Sequence, residues 1–315
     1  MQRTDLAMYL NPAWRRCSMR FNEVHQFIDA SGHSLRQGNG PAVRSDFYGA
    51  WVLMAYASCQ YALDEIGQGC MEFLGNRHRY ARSMPDAMFK NHERLTLETA
   101  RRMADENSKK RSQIKQYLLD IYSAKWSTSS SLLKMERNVW PTNVREWLRR
   151  IGVDEGDMSW MNDPASPGAP ETYASRLAEL VEERNPIAHG QTPYRVLSAS
   201  TMKSWLTECQ DFMEHCAMTV ELHLSRHHVP RLARLGVLNR QLKLSNRTVP
   251  FLVLNHHVRV GDHVLLGSQS ERKKIAKVTS IMSGGSTFDD LPAGHEQVAI
   301  GLNKPHQDSG VYLTP

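Results

Sequence analysis

The stretch Glu183-Arg184-Asn185-Pro186-Ile187-Ala188-His189-Gly190 brings an arginine, an asparagine and a histidine close together in the chain. A guanidinium presents planar donors that match phosphate oxygens. An imidazole gains or loses a proton near neutral pH, as general acid–base chemistry requires. A plainer reading stands beside this one: Arg184 and His189 are solvated residues at a helix end, where positive charge is mildly favoured. A second concentration of charge lies downstream. From Leu222 to Gly261 there is no Asp or Glu, whereas Arg226, Arg231, Arg234, Arg240, Lys243, Arg247 and Arg259 fall in that window. So one-sided a segment fits contact with a phosphate backbone, or serves as a solvated linker.

The elements around these residues are read from periodicity. Leu177, Leu180 and Val181 recur at helical spacing within Glu171 to Arg184, and Tyr173 and Ala174 extend the stripe. Pro186 lacks an N–H and crowds the carbonyl of Glu182, so the helix is expected to kink or end there. Gly190 can take the left-handed conformation that closes a helical turn. Residues five apart in a straight helix lie about 140° apart, so Arg184 and His189 would not share a face without such a re-aiming.

Upstream, residues 1 to about 225 read as helical. Ser45 to Gly75 carries a wide apolar face that includes Trp51, Met54, Ala55, Cys59, Ala62 and Leu63; Ser45 is the expected cap and Gly75 the expected stop. Two helices are expected between Pro85 and Trp126, then a short one from Trp140 to Gly152 with Pro141 in its first turn. Asp154 to Pro170 reads as a loop. Ser198 to His228 carries a core stripe of Trp205, Cys209, Phe212, Met213, Cys216 and Val220. From Val249 the pattern changes to short apolar blocks separated by Gly, Asp, Asn and Ser, the signature of a small antiparallel β-barrel.

Composition narrows the function classes. The 315 residues, 41% hydrophobic and 23% charged, describe a globular chain long enough for two domains. A net charge of +6 permits an anionic partner without demanding one. Five cysteines without a C-x-x-C pair read as reduced thiols, and the 14 histidines are scattered or adjacent, which makes poor joint metal ligands. No metal or other cofactor is expected. There is no apolar run long enough for a membrane span and no apolar signal core, so a cytoplasmic protein is expected.

Arg184-Asn185-Pro186-Ile187-Ala188-His189 resembles the Arg-x4-His signature of the HEPN superfamily, with a polar residue straight after the arginine. The longer RNPIAHG is similar to its RiboL-PSP branch, and Leu53 to Gly67 (LMAYASCQYALDEIG) resembles the first long helix of that branch. The resemblance spans about residues 40 to 225. It implies a helical bundle that dimerises about a two-fold axis, with two motifs facing across the interface. Many members are metal-independent endoribonucleases, often toxins or antiviral-defence effectors; some are inactive binding partners or antitoxins.

On that resemblance, two copies of His189 would serve as base and acid, Arg184 would stabilise the phosphorane-like transition state, and Asn185 would hold His189 or a phosphate oxygen. A 2′,3′-cyclic phosphate and a 5′-hydroxyl are the expected products. The alternative is a non-catalytic module that binds RNA or a protein. Tyr56 and Tyr61 read as core or interface aromatics. Asp64 and Glu65 are acidic candidates for orienting Arg184, more simply read as solvated.

Residues 249 to 315 resemble the β-barrel second domain of translational GTPases such as elongation factor Tu, through VGDHVLL, KVTSI, LPAGHEQVAIGL and GVYL. No G-x-x-x-x-G-K-[ST] accompanies it, which removes any claim to GTP binding. The organisation expected is therefore a mainly α-helical bundle followed by a small antiparallel β-barrel. Its parts are a helical extension (1–40), a HEPN-like domain (41–228), a basic linker (229–248) and the barrel (249–315). Arg226, Arg231, Arg234, Arg240, Lys243 and Arg247 are the expected RNA contacts, with tRNA or ribosomal RNA as suspected target. A homodimer with a composite site, a cognate inhibitor protein and no membrane complete the expected partners.

Overall fold

A computed structural model describes residues 10–35, 41–78, 84, 86–106, 115, 119, 138–193, 195–227, 233–239, 241–242, 244–267, 272–305 and 310–313. The chain divides into two compact units: Arg16–Thr219, and Met1–Arg15 together with Val220–Pro315.

The first unit is helical. Its described helices are α1 (Leu10–Leu35, from Arg16 onward), α2 (Pro41–Arg77), α3 (Asp86–Glu106), α4 (Pro141–Arg150), α5 (Tyr173–Ala188) and α6 (Ala199–His227, up to Thr219). Helix α2 starts four residues before the expected Ser45 cap, since Pro41 is already pre-set for a first turn, and it runs past Gly75 to Arg77. Helix α3 is the first of the two expected between Pro85 and Trp126; the second falls largely outside the described residues. Helix α4 begins on Pro141 and closes at Gly152, whose N–H donates to the Arg149 carbonyl at 3.0 Å.

One expected loop is not wholly a loop. Glu155–Asn162 forms a 3-10 helix that buries Met158 and Met161. In a helix with three residues per turn, side chains three apart eclipse, so this pair makes one apolar face despite the polar residues around it. The core of the unit gathers Phe21, Ile28, Trp51, Leu63, Ile66, Leu74, Trp147 and Phe212 at less than 2% exposure. The expected stripe of α6, Trp205 to Cys216, is buried with them, and all five cysteines are free and buried.

The second unit is a nearly closed antiparallel barrel. Its strands are β1 (Gly236–Leu238), β2 (Thr248–Leu254), β3 (Val258–Arg259), β4 (His263–Gly267), β5 (Arg272–Ser283), β6 (Ser286–Phe288), β7 (Asp290–Leu291), β8 (Glu296–Leu302) and β9 (Gly310–Leu313). The main sheet runs β1-β2-β8-β5-β4-β9, with β6 against β5, and β3 pairs with β7. The long β5 serves two neighbours: Arg272 to Lys277 pair with β4, and Val278 to Ser283 pair with β8, across a register shift between Val278 and Ser280. Such a bulge bends a strand and lets it turn a barrel corner. The ends approach closure where the Leu235 N–H donates to the Val311 carbonyl at 2.9 Å and Arg234 bridges Tyr312.

Phe251, Val264, Val278, Ile281, Val298 and Ile300 fill the interior. The ends of two helices belong to this unit. Asn11 and the His263 main chain exchange two hydrogen bonds, at 2.9 and 3.2 Å. Arg15 pairs with Asp262, and His263 Nδ1 lies 2.9 Å from Glu221 Oε2 with both side chains fully buried.

Candidate active site at the end of helix α5

Helix α5 starts with a capping box. Thr172 Oγ1 accepts from the Ser175 N–H at 3.1 Å, and Ser175 Oγ accepts from the Thr172 N–H at 2.9 Å. Two donors that a helix start leaves orphaned are thereby satisfied reciprocally. Leu177, Leu180 and Val181 form its buried stripe, as the spacing predicts. Arg176 draws in Glu208 at 2.9 Å, Glu179 at 3.1 Å and Glu171 at 3.4 Å, and its carbonyl accepts from the Trp205 indole at 3.1 Å. Those contacts tie the first turns of α5 to α6.

Pro186 neither ends the helix nor stops the chain short of His189. The helix continues to Ala188, and Pro186 lies inside it. The sequence expectation of a kink or an end at Pro186 thus meets a helix that carries on for two residues. The cost of the missing N–H falls near the terminus, where only the Glu182 carbonyl forfeits its intrahelical donor. The closing turn then uses the proline's carbonyl twice. It accepts from the Gln191 N–H at 3.0 Å and the His189 N–H at 3.1 Å, while the Gly190 N–H donates to the Ile187 carbonyl at 3.0 Å. With Gly190 at φ +77, this is the Schellman closure that the glycine predicts. His189 is the C-cap residue, at φ −95 and ψ 13, and is solvent-exposed.

Arg184 is held differently. Its guanidinium carbon sits 4.6 Å from the centroid of the Tyr56 ring on α2, well inside cation–π range. Its Nη1 donates to Asn185 Oδ1 at 3.3 Å. The Tyr56 hydroxyl in turn donates to Asn138 Oδ1 at 3.1 Å. Asn138 precedes α4, and its carbonyl accepts from Trp140 N and Asn143 Nδ2, both at 2.8 Å. Nearby, Gly49 of α2 faces Ile187: a Cβ there would lie 3.5 Å from Ile187 Cγ2. The Glu183 carboxylate is 3.6 Å from Arg195. Burial first, and then the adjacent Glu183, push the Tyr48 hydroxyl up from its ordinary value. Glu65, an acidic candidate for orienting Arg184, pairs with Arg16 at 2.6 Å instead.

The structure therefore brings Arg184, Asn185 and His189 to one helix end, and adds Tyr56 and Asn138, which sequence reasoning placed in no site. Tyr56 is only 5% exposed and gives the same apolar signal as its core neighbours, so nothing local distinguishes it. Of the expected RNA contacts, Arg226 is exposed in the last turn of α6, Arg234 is exposed ahead of β1, and Arg247 is exposed in the turn before β2. Arg231, Arg240 and Lys243 lie outside the described residues. Among the described residues, no three His, Cys, Asp or Glu side chains gather as a metal site, and no helix is long and apolar enough to cross a membrane.

A family model described as RiboL-PSP-HEPN covers residues 18–217, more than half of the chain and all of the helix end just described. No curated protein matches, and no solved structure matches.

Proposed function

The chain belongs to the RiboL-PSP-HEPN family, and from that premise we propose that it is a metal-independent endoribonuclease. Two chains related by a two-fold axis form one composite cleft. One His189 takes the proton from a ribose 2′-OH as that oxygen attacks phosphorus. The P–O5′ bond breaks, and the other His189 gives a proton to the departing 5′-oxygen. Arg184 stabilises the charge that accumulates on the phosphoryl oxygens, and Asn185 supports it by hydrogen bonding. The products are a 2′,3′-cyclic phosphate and a 5′-hydroxyl, so DNA is not cut.

One observation carries this reading. A guanidinium fixed over an aromatic ring shares a helix end with an exposed histidine. Arg226, Arg234 and Arg247, with Arg231, Arg240 and Lys243, supply phosphate contacts for the RNA strand. The barrel, through its likeness to a translation-factor domain, directs the enzyme to tRNA or ribosomal RNA. The protein works in the cytoplasm as a toxin or antiviral-defence effector, held in check by an inhibitor protein.

The test is cleavage of total tRNA and ribosomal RNA in EDTA by wild type, Arg184→Ala and His189→Ala, with product ends read for the cyclic phosphate. Cutting by wild type alone supports the composite site. Intact RNA after incubation with well-folded dimer rejects the nuclease reading and points to a non-catalytic RNA-binding module.

A further inference from the structure

The arginines around the motif are anchored in two distinct ways. Arg176 is ringed by Glu171, Glu179 and Glu208, and Arg195 is paired with Glu183. Their charges are largely cancelled where they stand. Arg184 has no such carboxylate among the described residues: its partners are the face of Tyr56 and the neutral amide of Asn185. Its Nε is buried without a hydrogen-bond partner among them. A carboxylate would orient a guanidinium while neutralising it. An aromatic face orients it through the ring quadrupole and leaves the full positive charge for an incoming phosphate.

The ring is itself fixed. Tyr56 is 5% exposed, its hydroxyl reaches Asn138 at 3.1 Å, and two further hydrogen bonds hold Asn138 at the start of α4. We propose that Tyr56, pinned by Asn138, is the positioning residue for Arg184 in turnover, holding its charge where the transition-state phosphoryl group needs it, an inference that rests on the nuclease reading above. The aromatic face is the working part; the hydroxyl restrains the face.

Two readouts separate this role from simple core packing. The first is turnover of total tRNA in EDTA by Tyr56→Phe, Tyr56→Leu and Asn138→Ala. A cation–π contact of this kind corresponds to roughly 2- to 30-fold in rate. Tyr56→Leu is expected to lower kcat within that range with KM nearly unchanged. Tyr56→Phe and Asn138→Ala, which keep the aromatic face, are expected to lose no more than about 3-fold on the same scale.

The second readout needs no activity: the NMR signal of the Arg184 Nε–H in arginine-labelled protein, assigned by its loss in Arg184→Lys. Ring current from Tyr56 should displace that signal in wild type and Tyr56→Phe, and Tyr56→Leu should return it to the ordinary position. Equal losses of kcat in the Phe and Leu variants, or a signal indifferent to Tyr56→Leu, would overturn the proposal. A displaced signal in a wild type that cuts no RNA would sink the nuclease reading and leave the positioning of Arg184 standing.

Discussion

Replacing Gly190 by alanine isolates the conformational demand of the turn that presents His189. Gly190 sits at φ +77, and a Cβ added there meets nothing within 4 Å. No steric clash contributes, so the whole cost is that of holding an L-residue in the left-handed region, about 1–2 kcal/mol. For a unit of this size, each kcal/mol lowers the melting temperature by roughly 2–4 °C, which gives an expected drop of about 2–8 °C. Gly156 supplies the internal control. It too has open space around it, but its φ is not positive, so Gly156→Ala should stay within about 0.5 kcal/mol of wild type. Gly190→Asn should fall between the two, because asparagine tolerates the left-handed region better than alanine. Differential scanning calorimetry on the three variants decides the matter. If Gly190→Ala melts with Gly156→Ala, the Schellman closure is not what holds the end of α5 or presents His189.

Two further perturbations probe the rest of the molecule. A Cβ at Gly236 would lie 2.5 Å from the Val253 carbonyl oxygen and 2.7 Å from Phe251 Cδ1, so Gly236→Ala should cost about 1–3 kcal/mol. Amide exchange should quicken in β1 and β2 and stay unchanged in α5; unaltered protection in β2 would count against the close approach. Burial, and then the nearby Glu65, push the Cys17 thiol up to about 12. A pKa raised on folding stabilises fully below the unfolded thiol value of about 8.5 and is lost as pH climbs through the folded value. Native protein at pH 8 should therefore leave Cys17 unreacted toward a disulfide reagent until urea is added. Cys17→Ala should flatten the fall in stability at alkaline pH. Labelling of native Cys17 at pH 8 would contradict its burial.

What the residues disclose in advance depends on the range of the forces involved. The end of α5 was legible because Gly190 and the stripe of Leu177, Leu180 and Val181 act within one or two turns. The barrel strands were legible because alternation is a local property, as in Val249 and Phe251 pointing inward from β2. The 3-10 helix at Glu155–Asn162 was read as loop because polar and acidic residues surround its single apolar pair, Met158 and Met161. The Tyr56–Arg184 contact was beyond reach. It joins two helices distant in the chain, and a tyrosine destined for a guanidinium has the same hydrophobic signature as one destined for the core. Glu65 illustrates the converse, for its charge suited Arg184 but tertiary packing gave it to Arg16.

The hydrogen bonds between Asn11 and His263 span 252 residues of chain. At a synthesis rate of about 5–20 residues per second, Asn11 emerges roughly 13–50 s before its partner exists. The unit from Arg16 to Thr219 has no such wait for the barrel strands, since its residues are all made by then. On the ribosome the order of events is therefore fixed: the helix end bearing Arg184 and His189 is available first, and the barrel closes last, recruiting Asn11 and Arg15 from the oldest part of the chain. A nascent chain stalled before β4 would carry the whole of the helix end at Arg184 and His189 and no partner for Asn11.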